Sequence, residues 1–255
     1  MATEPTAPAD FYTGLVAEVY RHTRSETFDP EPYAKFIERS GEPALELGCG
    51  DGDPILDLRE RGLDVEGLDS SADMLERCRS FAADRGLDVT LHHSTFEAMH
   101  LGRTYRSIFF AGATFNLLPD DGSAERALVG IAAHLEPGGS ALIPLFIPQR
   151  PGESTIGSGQ EHIADDGSVM SVTVTSFERD EELRTQVTGL RYDKTTGDTV
   201  RSTEREWLLH WFDRETFTAM AERTGLVVVA VFEEEKSPET THDTAFTFLL
   251  HRPAA

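Results

Sequence analysis

Three glycines at alternate positions, Gly48, Gly50 and Gly52, interrupt the stretch ALELGCGDGDP at residues 44–54. Glycines in that arrangement let the backbone turn sharply after a strand, and a nucleotide can lie against such a turn. Two acids, Asp51 and Asp53, stand inside the turn. In a dinucleotide site the pyrophosphate rests on the following helix N-terminus, and the favoured spacing is G-x-G-x-x-G. Here Asp53 occupies the place of the third glycine, and both acids would repel a pyrophosphate at short range.

A ligand without phosphate meets no such objection. S-adenosylmethionine carries a sulfonium, an ammonium and a carboxylate, and an acidic loop suits its two positive centres. A purely structural tight turn is the third reading. Asp69 lies 17 residues beyond Gly52, at the end of the apolar run LDVEGLD. A carboxylate at the C-terminal edge of a second strand is placed to accept hydrogen bonds from both ribose hydroxyls. Ser70 and Ser71 stand next to it to cap the following helix. Met74, one turn into that helix, has two readings, a wall of the adenine site or a core residue.

These residues need elements to position them. PALELG reads as a strand, and DPILDLRERG as a helix with Asp53 as N-cap, Pro54 at its first position and Gly62 past its end. LDVEGLD is a second strand, SSADMLERCRSFAADRG a helix, DVTLHHS a third strand and SIFFAGATF a fourth. SAERALVGIAAHLEPGG reads as a helix capped by Ser123 and stopped by Pro137 and Gly138, and SALIPLFI as a fifth strand. Strands alternating with helices imply crossover connections and a mostly parallel sheet, here of seven strands, in a Rossmann-like doubly wound α/β fold. Two amphipathic helices precede it, one over residues 11–24 and one starting near Pro32. Residues 149–167 read as a long loop, and strands near 168–179, 183–193 and 198–209 as an inserted antiparallel meander. The helix DRETFTAMAERTG and two strands, LVVVAVFEE and DTAFTFLLHR, close the chain. The expected organisation is a helical cap at 1–40, a cofactor-binding core at 41–148 and 212–255, and an insertion at 149–211 forming an acceptor lid or an oligomer contact.

Bulk composition narrows the function classes. The 255 residues carry 45 acidic and 23 basic side chains, a net charge of −22. A surface of that sign repels polyphosphate, so nucleic acid is not an expected partner. Apolar runs fall far short of the roughly 20 residues that cross a bilayer, and the N-terminus lacks the basic and apolar regions of a secretory signal. A cytoplasmic protein is expected, monomer or homodimer, with no membrane partner. Two cysteines are too few for a disulfide framework or a zinc site, and no metal is expected.

LELGCGDG, GLDSSADML and HLEPGG together resemble the class I S-adenosylmethionine-dependent methyltransferases, over residues of about 40–148. The N-terminal helices and the late antiparallel insertion resemble the branch that methylates N or O atoms of small molecules, including sugars and other natural products. The resemblance implies S-adenosylmethionine as cofactor and S-adenosylhomocysteine as product. Carried onto matching positions, Glu46 and the backbone at Gly48 and Gly50 hold the methionine part, Asp69 the ribose, and Met74 packs on adenine. Thr95 and Phe96 border the adenine edge, and Ala111 to Thr114 follow the fourth strand beside the sulfonium. Thr95 stands where the family often has Asp on the adenine amino group, and Ser107 where an Asp commonly opens the fourth strand.

Methyl transfer from a sulfonium needs the acceptor lone pair aligned with the methyl carbon and water kept out. If a base is used, His210 and His162 are the candidates, His210 ahead because Trp207, Trp211 and Phe212 beside it suggest an aromatic wall. Asn116 is a candidate polar contact for a small-molecule acceptor. Tyr12 and Tyr20, on the first helix, are candidates to close over cofactor and acceptor. Two other functions remain open on these residues: a non-methylating S-adenosylmethionine-binding protein and a NAD-type oxidoreductase.

Overall fold

The computed structural model describes residues 8–24, 27–150, 152–164, 166–233 and 242–254. The N-terminal lead-in up to residue 7 lies outside them. Two short helices, α1 (Pro8–Phe11) and α2 (Leu15–Thr23), precede α3 (Glu31–Ser40). Strands and helices then alternate: β1 (Ala44–Leu47), α4 (Ile55–Glu60), β2 (Val65–Asp69), α5 (Ala72–Asp84), β3 (Leu91–His93), β4 (Tyr105–Phe109), α6 (Asp121–His134) and β5 (Leu135–Pro148). Four strands follow in succession, β6 (Gly159–Ile163), β7 (Val169–Asp180), β8 (Thr185–Thr196) and β9 (Thr199–His210). Helix α7 (Arg214–Arg223) and strands β10 (Val227–Glu233) and β11 (His242–His251) complete the chain.

The expected doubly wound sheet is present. Its seven strands run in the order β10-β11-β5-β4-β1-β2-β3, and the pairs among β5, β4, β1, β2 and β3 are parallel. β11 is antiparallel to both of its neighbours. Two apolar clusters cover it. One joins Leu45 and Leu47 of β1 to Leu128, Ile131, Phe217 and Met220 of α6 and α7. The other joins Ala44 to Ile37, Leu56, Leu75 and Cys78 of α3, α4 and α5. Strand alternation separates Ala44 and Leu45 in this way. Chain order reverses between β1 and β4, so the loops after these strands open the crevice where ligands of such sheets bind.

β6 to β9 form a second, antiparallel sheet. A third cluster ties it to the N-terminal helices: Phe11, Leu15, Val16 and Val19 pack on Met170 and Tyr192. No helix among the described residues is long and apolar enough to cross a membrane.

Several local expectations need correction. Helix α4 starts at Ile55 with Pro54 before it, because the Asp53 carboxylate is drawn away to Arg24 and the Phe28 N–H. Asp120, not Ser123, caps α6, accepting from the Ser123 N–H at 2.7 Å. That helix stops at His134, and Pro137 and Gly138 lie in the first residues of β5. The fourth strand ends at Phe109, and Thr114–Leu117 is a 3-10 turn. Part of the expected loop at 149–167 is strand β6, whose GQEHI sequence is exposed throughout and lacks the apolar alternation that marks a strand.

Gly67 sits where β2 passes beneath the glycine turn. A Cβ there would lie 2.7 Å from Cys49 Sγ and 2.9 Å from both Ile55 Cδ1 and Leu91 Cδ2. Gly67→Ala is expected to destabilise the fold by about 1–3 kcal/mol through overpacking, as a lowered urea midpoint at unchanged slope.

Candidate functional site

The site is built on the turn after β1. Gly48, Gly50 and Gly52 have φ of 77°, 51° and 104°, values that side chains disfavour. At Gly48 a Cβ would also meet Thr114 Cγ2 at 2.6 Å. Four of the turn's amide donors are committed inside the protein. Gly48 and Cys49 donate to the Leu68 carbonyl at 2.7 and 3.1 Å, and Gly52 donates to the Cys49 carbonyl at 3.0 Å. Gly50 donates to Asp69 Oδ2 at 2.8 Å. A phosphate-binding turn presents free amides to its anion, and these four are occupied.

The turn's two aspartates are not bare charges, which corrects the electrostatic reading of the sequence. Asp51 is buried and receives Arg21 Nε at 2.9 Å, with Arg24 Nη1 at 4.0 Å. Asp53 receives Arg24 Nη2 at 2.6 Å. The Arg21 guanidinium also lies over the Phe81 ring at 3.7 Å. The acids therefore anchor α2 on the turn, and the case against pyrophosphate rests on the occupied amides.

Glu46 lies under the turn, fully buried, with neither carboxyl oxygen hydrogen-bonded among the described residues. Burial, reinforced by the Asp53 and Asp69 carboxylates, pushes its carboxyl well above the usual glutamate range. Asp69 at the end of β2 accepts from Gly50 and, through Oδ1, from the Ser71 N–H at 2.8 Å. Burial raises its carboxyl from the ordinary value, and the two amides oppose that shift. Ser71 caps α5 through the Met74 N–H and donates to the Tyr12 carbonyl at 2.5 Å, which pins the N-terminal segment over the sheet edge.

A cavity of about 260 Å³ opens between these elements. Of the residues expected at the site, it is lined by Tyr12, Tyr20, Gly48, Gly50, Asp69, Met74, Thr95 and Phe96. Ala111 is buried behind it, and its carbonyl accepts from the Thr114 hydroxyl that does face the cavity. A second cavity, of about 620 Å³, lies between α2 and the antiparallel sheet. Tyr12 and Tyr20 line both. Burial holds both phenols above their ordinary value, Tyr12 well above it, so both are neutral hydrogen-bonding groups at neutral pH.

The other expected acceptor residues lie elsewhere. His210 is buried at the end of β9, edge-on to Phe212 at 4.5 Å, and lines neither cavity. Burial lowers its imidazole below the usual value, and Nε2 lies 3.4 Å from Asp121 Oδ1. Asn116 is buried, donating to the Phe146 and His210 carbonyls at 3.0 and 2.8 Å. Trp211 is covered by Arg179, 4.0 Å above its ring. His162, on β6, faces His22 at 5.0 Å beside the mouth of the larger cavity. The expected aromatic wall is made instead by Trp207, Tyr192 and Phe28. Tyr192 and Trp207 each fall on a cavity-facing position of their strands, a period-2 signal present in the sequence.

Residues 44–139 match the family described as "Methyltransferase domain". The chain is 28% identical over 151 residues to the dTDP-3-amino-3,6-dideoxy-alpha-D-glucopyranose N,N-dimethyltransferase of Streptomyces fradiae, covering 56% of this chain and 58% of that one. The chain spans about half the length of the curated relatives it matches. In overall fold it resembles the CcbJ methyltransferase from Streptomyces caelestis, at TM-score 0.74 and 23% identity over 99% of this chain and 100% of that one. The S-adenosylmethionine-bound amino pentose methyltransferase CalS10 from Micromonospora echinaspora matches at TM-score 0.68 and 22% identity, over 98% and 100%. Both antiparallel sheet and N-terminal helices, outside the methyltransferase domain match, fall within the structural likeness.

Two stability effects follow from this site. Removing both arginines, Arg21→Ala with Arg24→Ala, leaves Asp51 buried without a counter-ion. That loss is expected to cost about 3–5 kcal/mol in chemical unfolding. Glu46 holds a proton in the folded chain at pH values where the unfolded chain has lost it. Its contribution is therefore fully present below the ordinary glutamate pKa and is lost as pH rises through the raised folded value. Glu46→Gln is expected to raise the thermal midpoint at neutral pH and to flatten its decline with pH, measured without ligand between pH 5 and 8.

Proposed function

We propose that this chain transfers a methyl group from S-adenosylmethionine to an amino nitrogen of a small molecule. The observation that carries the proposal is the turn over Glu46, with four of its amides occupied and a fully buried carboxyl below it that no group among the described residues satisfies. That combination suits a cation in place of a phosphate. The names of the sugar N-methyltransferase relatives support nitrogen as the acceptor atom.

The residues present fit the cofactor. Gly48, where a side chain would collide with Thr114, leaves room for the methionine part, and Glu46, giving up its proton as the ligand binds, supplies the counter-charge for its ammonium. Asp69 keeps carboxylate lone pairs for the ribose hydroxyls, since each oxygen is occupied by one backbone amide only. Met74 and Phe96 offer apolar walls to adenine. Bound there, the cofactor supplies a methyl group already activated on a sulfonium. The chain's part is to hold the acceptor in line, and to keep water away.

Tyr12 and Tyr20 stand between the two cavities, so the acceptor amine would pass them to reach the methyl group. Their neutral phenols orient a nitrogen by hydrogen bonds and do not serve as bases. Among the described residues no histidine lines either cavity, so the amine is expected to arrive neutral or lose its proton to water. In this reading residues 149–211 act as the acceptor lid, contributing the sheet wall of the larger cavity.

Side-by-side titration with S-adenosylmethionine and NADH tests the cofactor, and methyl-labelled cofactor with amine and hydroxyl acceptors tests the chemistry. Binding of the first alone, with label on the amine, is expected; NADH binding or retained label would refute the proposal. Asp69→Ala is expected to weaken cofactor affinity tenfold or more, about 1.5–3 kcal/mol for hydrogen bonds to a charged group. Tyr12→Phe is expected to lower kcat with little effect on cofactor affinity, read by steady-state kinetics and calorimetry.

A further inference from the structure

The larger cavity carries information about the body of the acceptor. One wall is aliphatic and aromatic: Val172 and Leu190 of the antiparallel sheet, Tyr192 beside them, and Trp207 directly across the strand pair from Thr188. The Trp207 indole makes a weak hydrogen-bonding contact with the Tyr12 phenol, outside ordinary hydrogen-bond geometry, so its enclosed N–H has no well-formed partner among the described residues. A buried donor without a partner is costly, and a ligand oxygen is the natural group to satisfy it.

Among the described residues, the one cation in the wall of this cavity, and the two beside it on α2's side of the sheet, are paired with carboxylates. Arg24 is its one cationic wall residue among those described, and its guanidinium is held by Asp53 and Asp51. Lys194 and Arg201, on the same sheet, are both held by Glu18 of α2, at 2.9 and 2.7 Å. Arg205 shares the strand face of Trp207 but folds back along its own strand, donating to Thr203 Oγ1 at 2.7 Å and to the Glu204 carbonyl at 2.9 Å. It is not part of the cavity wall. A diphosphate brings at least two negative charges, and recognition of phosphate relies on uncommitted arginine or lysine. In a chain of net charge −22, such a group would also be repelled at long range.

We propose that the acceptor is an amine on a phosphate-free body. Its flat apolar face lies against Tyr192, Val172 and Trp207, and an oxygen of the same molecule accepts from the Trp207 N–H. This inference rests on the methyltransferase reading and separates the chain from enzymes whose acceptors are nucleoside-diphosphate sugars. Trp207 is then the residue that determines specificity. An aminosugar attached to an aryl or other apolar group has the required shape, and a nucleoside diphosphate conjugate of that aminosugar does not.

The test compares two probes that share one aminosugar, 3-amino-3,6-dideoxyglucose, as its phenyl glycoside and as its thymidine-diphosphate conjugate. Both are titrated calorimetrically into the full chain saturated with S-adenosylhomocysteine. The phenyl glycoside is expected to bind at least tenfold more tightly. Trp207→Ala is expected to weaken the glycoside at least tenfold, and Trp207→Phe, which keeps an aromatic ring and loses the N–H, about threefold. Saturation by S-adenosylhomocysteine shows that each variant is folded. Gln160→Arg, which adds a free cation to the cavity wall, is expected to improve the diphosphate probe at least fivefold relative to the glycoside. Equal or tighter binding of the diphosphate probe by the unaltered chain, above all if Arg205→Ala abolishes it, overturns the inference. Failure of both probes while S-adenosylhomocysteine binds also overturns it and leaves the cofactor reading standing. Failure of S-adenosylhomocysteine itself removes the cofactor reading, and this inference with it.

Discussion

Helix α2 is held by charge on two sides, and both cavities exist because of it. Toward the parallel sheet, Arg21 and Arg24 grip the aspartates of the glycine turn. Toward the antiparallel sheet, Glu18 grips Lys194 and Arg201. Between these contacts Leu15, Val16 and Val19 bury against the antiparallel sheet's cluster. A nine-residue helix is marginal in isolation, so its position here is a tertiary product of those ion pairs and that apolar face. Tyr20 on this helix and Tyr12 just before it are thereby set between the smaller cavity and the larger one.

The same arrangement places opposing demands on the turn after β1. Its glycines must adopt left-handed conformations, its amides must be satisfied, and its acids must be neutralised. The missing Cβ meets the first need, and from the end of β2 the Leu68 carbonyl and Asp69 take the Gly48, Cys49 and Gly50 amides. The arginines of α2 meet the third. Among the described residues Glu46, deep beneath the turn, has neither carboxyl oxygen satisfied, and its high proton affinity is the physical consequence of its burial. A site that leaves one buried carboxyl without a partner is poised for a cationic ligand group, and the stability lost by the empty protein is recovered on binding.

Much of the fold was legible because its signals are local. Short apolar runs marked β1, β2 and β5, glycines marked the turn, and Ser71 and Asp213 stand at the starts of α5 and α7 as caps. β6 escaped because it is an exposed edge strand whose residues contact no core; only pairing with β7 makes it a strand. The shift of the α6 cap from Ser123 to Asp120 is of the same kind. Both residues precede an apolar periodic run, and only the backbone conformation distinguishes the cap from the first turn.

The candidate site divides along a similar line. By itself the sequence determined the glycine turn, the carboxylate at the edge of β2 and the apolar residues that follow it. Each is set by the strand or turn it belongs to, within a few residues. Only the tertiary structure decided what the charges of Asp51 and Asp53 do, because their partners lie some 30 residues upstream in a separate helix. It also decided that Trp207 faces a cavity while His210 and Trp211 are buried elsewhere. Side chains alternate along β9, and the strand's end bends into the core, so neighbours in sequence part company in space. Local periodicity fixes which residues share a face, but which face meets a ligand depends on the element packed against it.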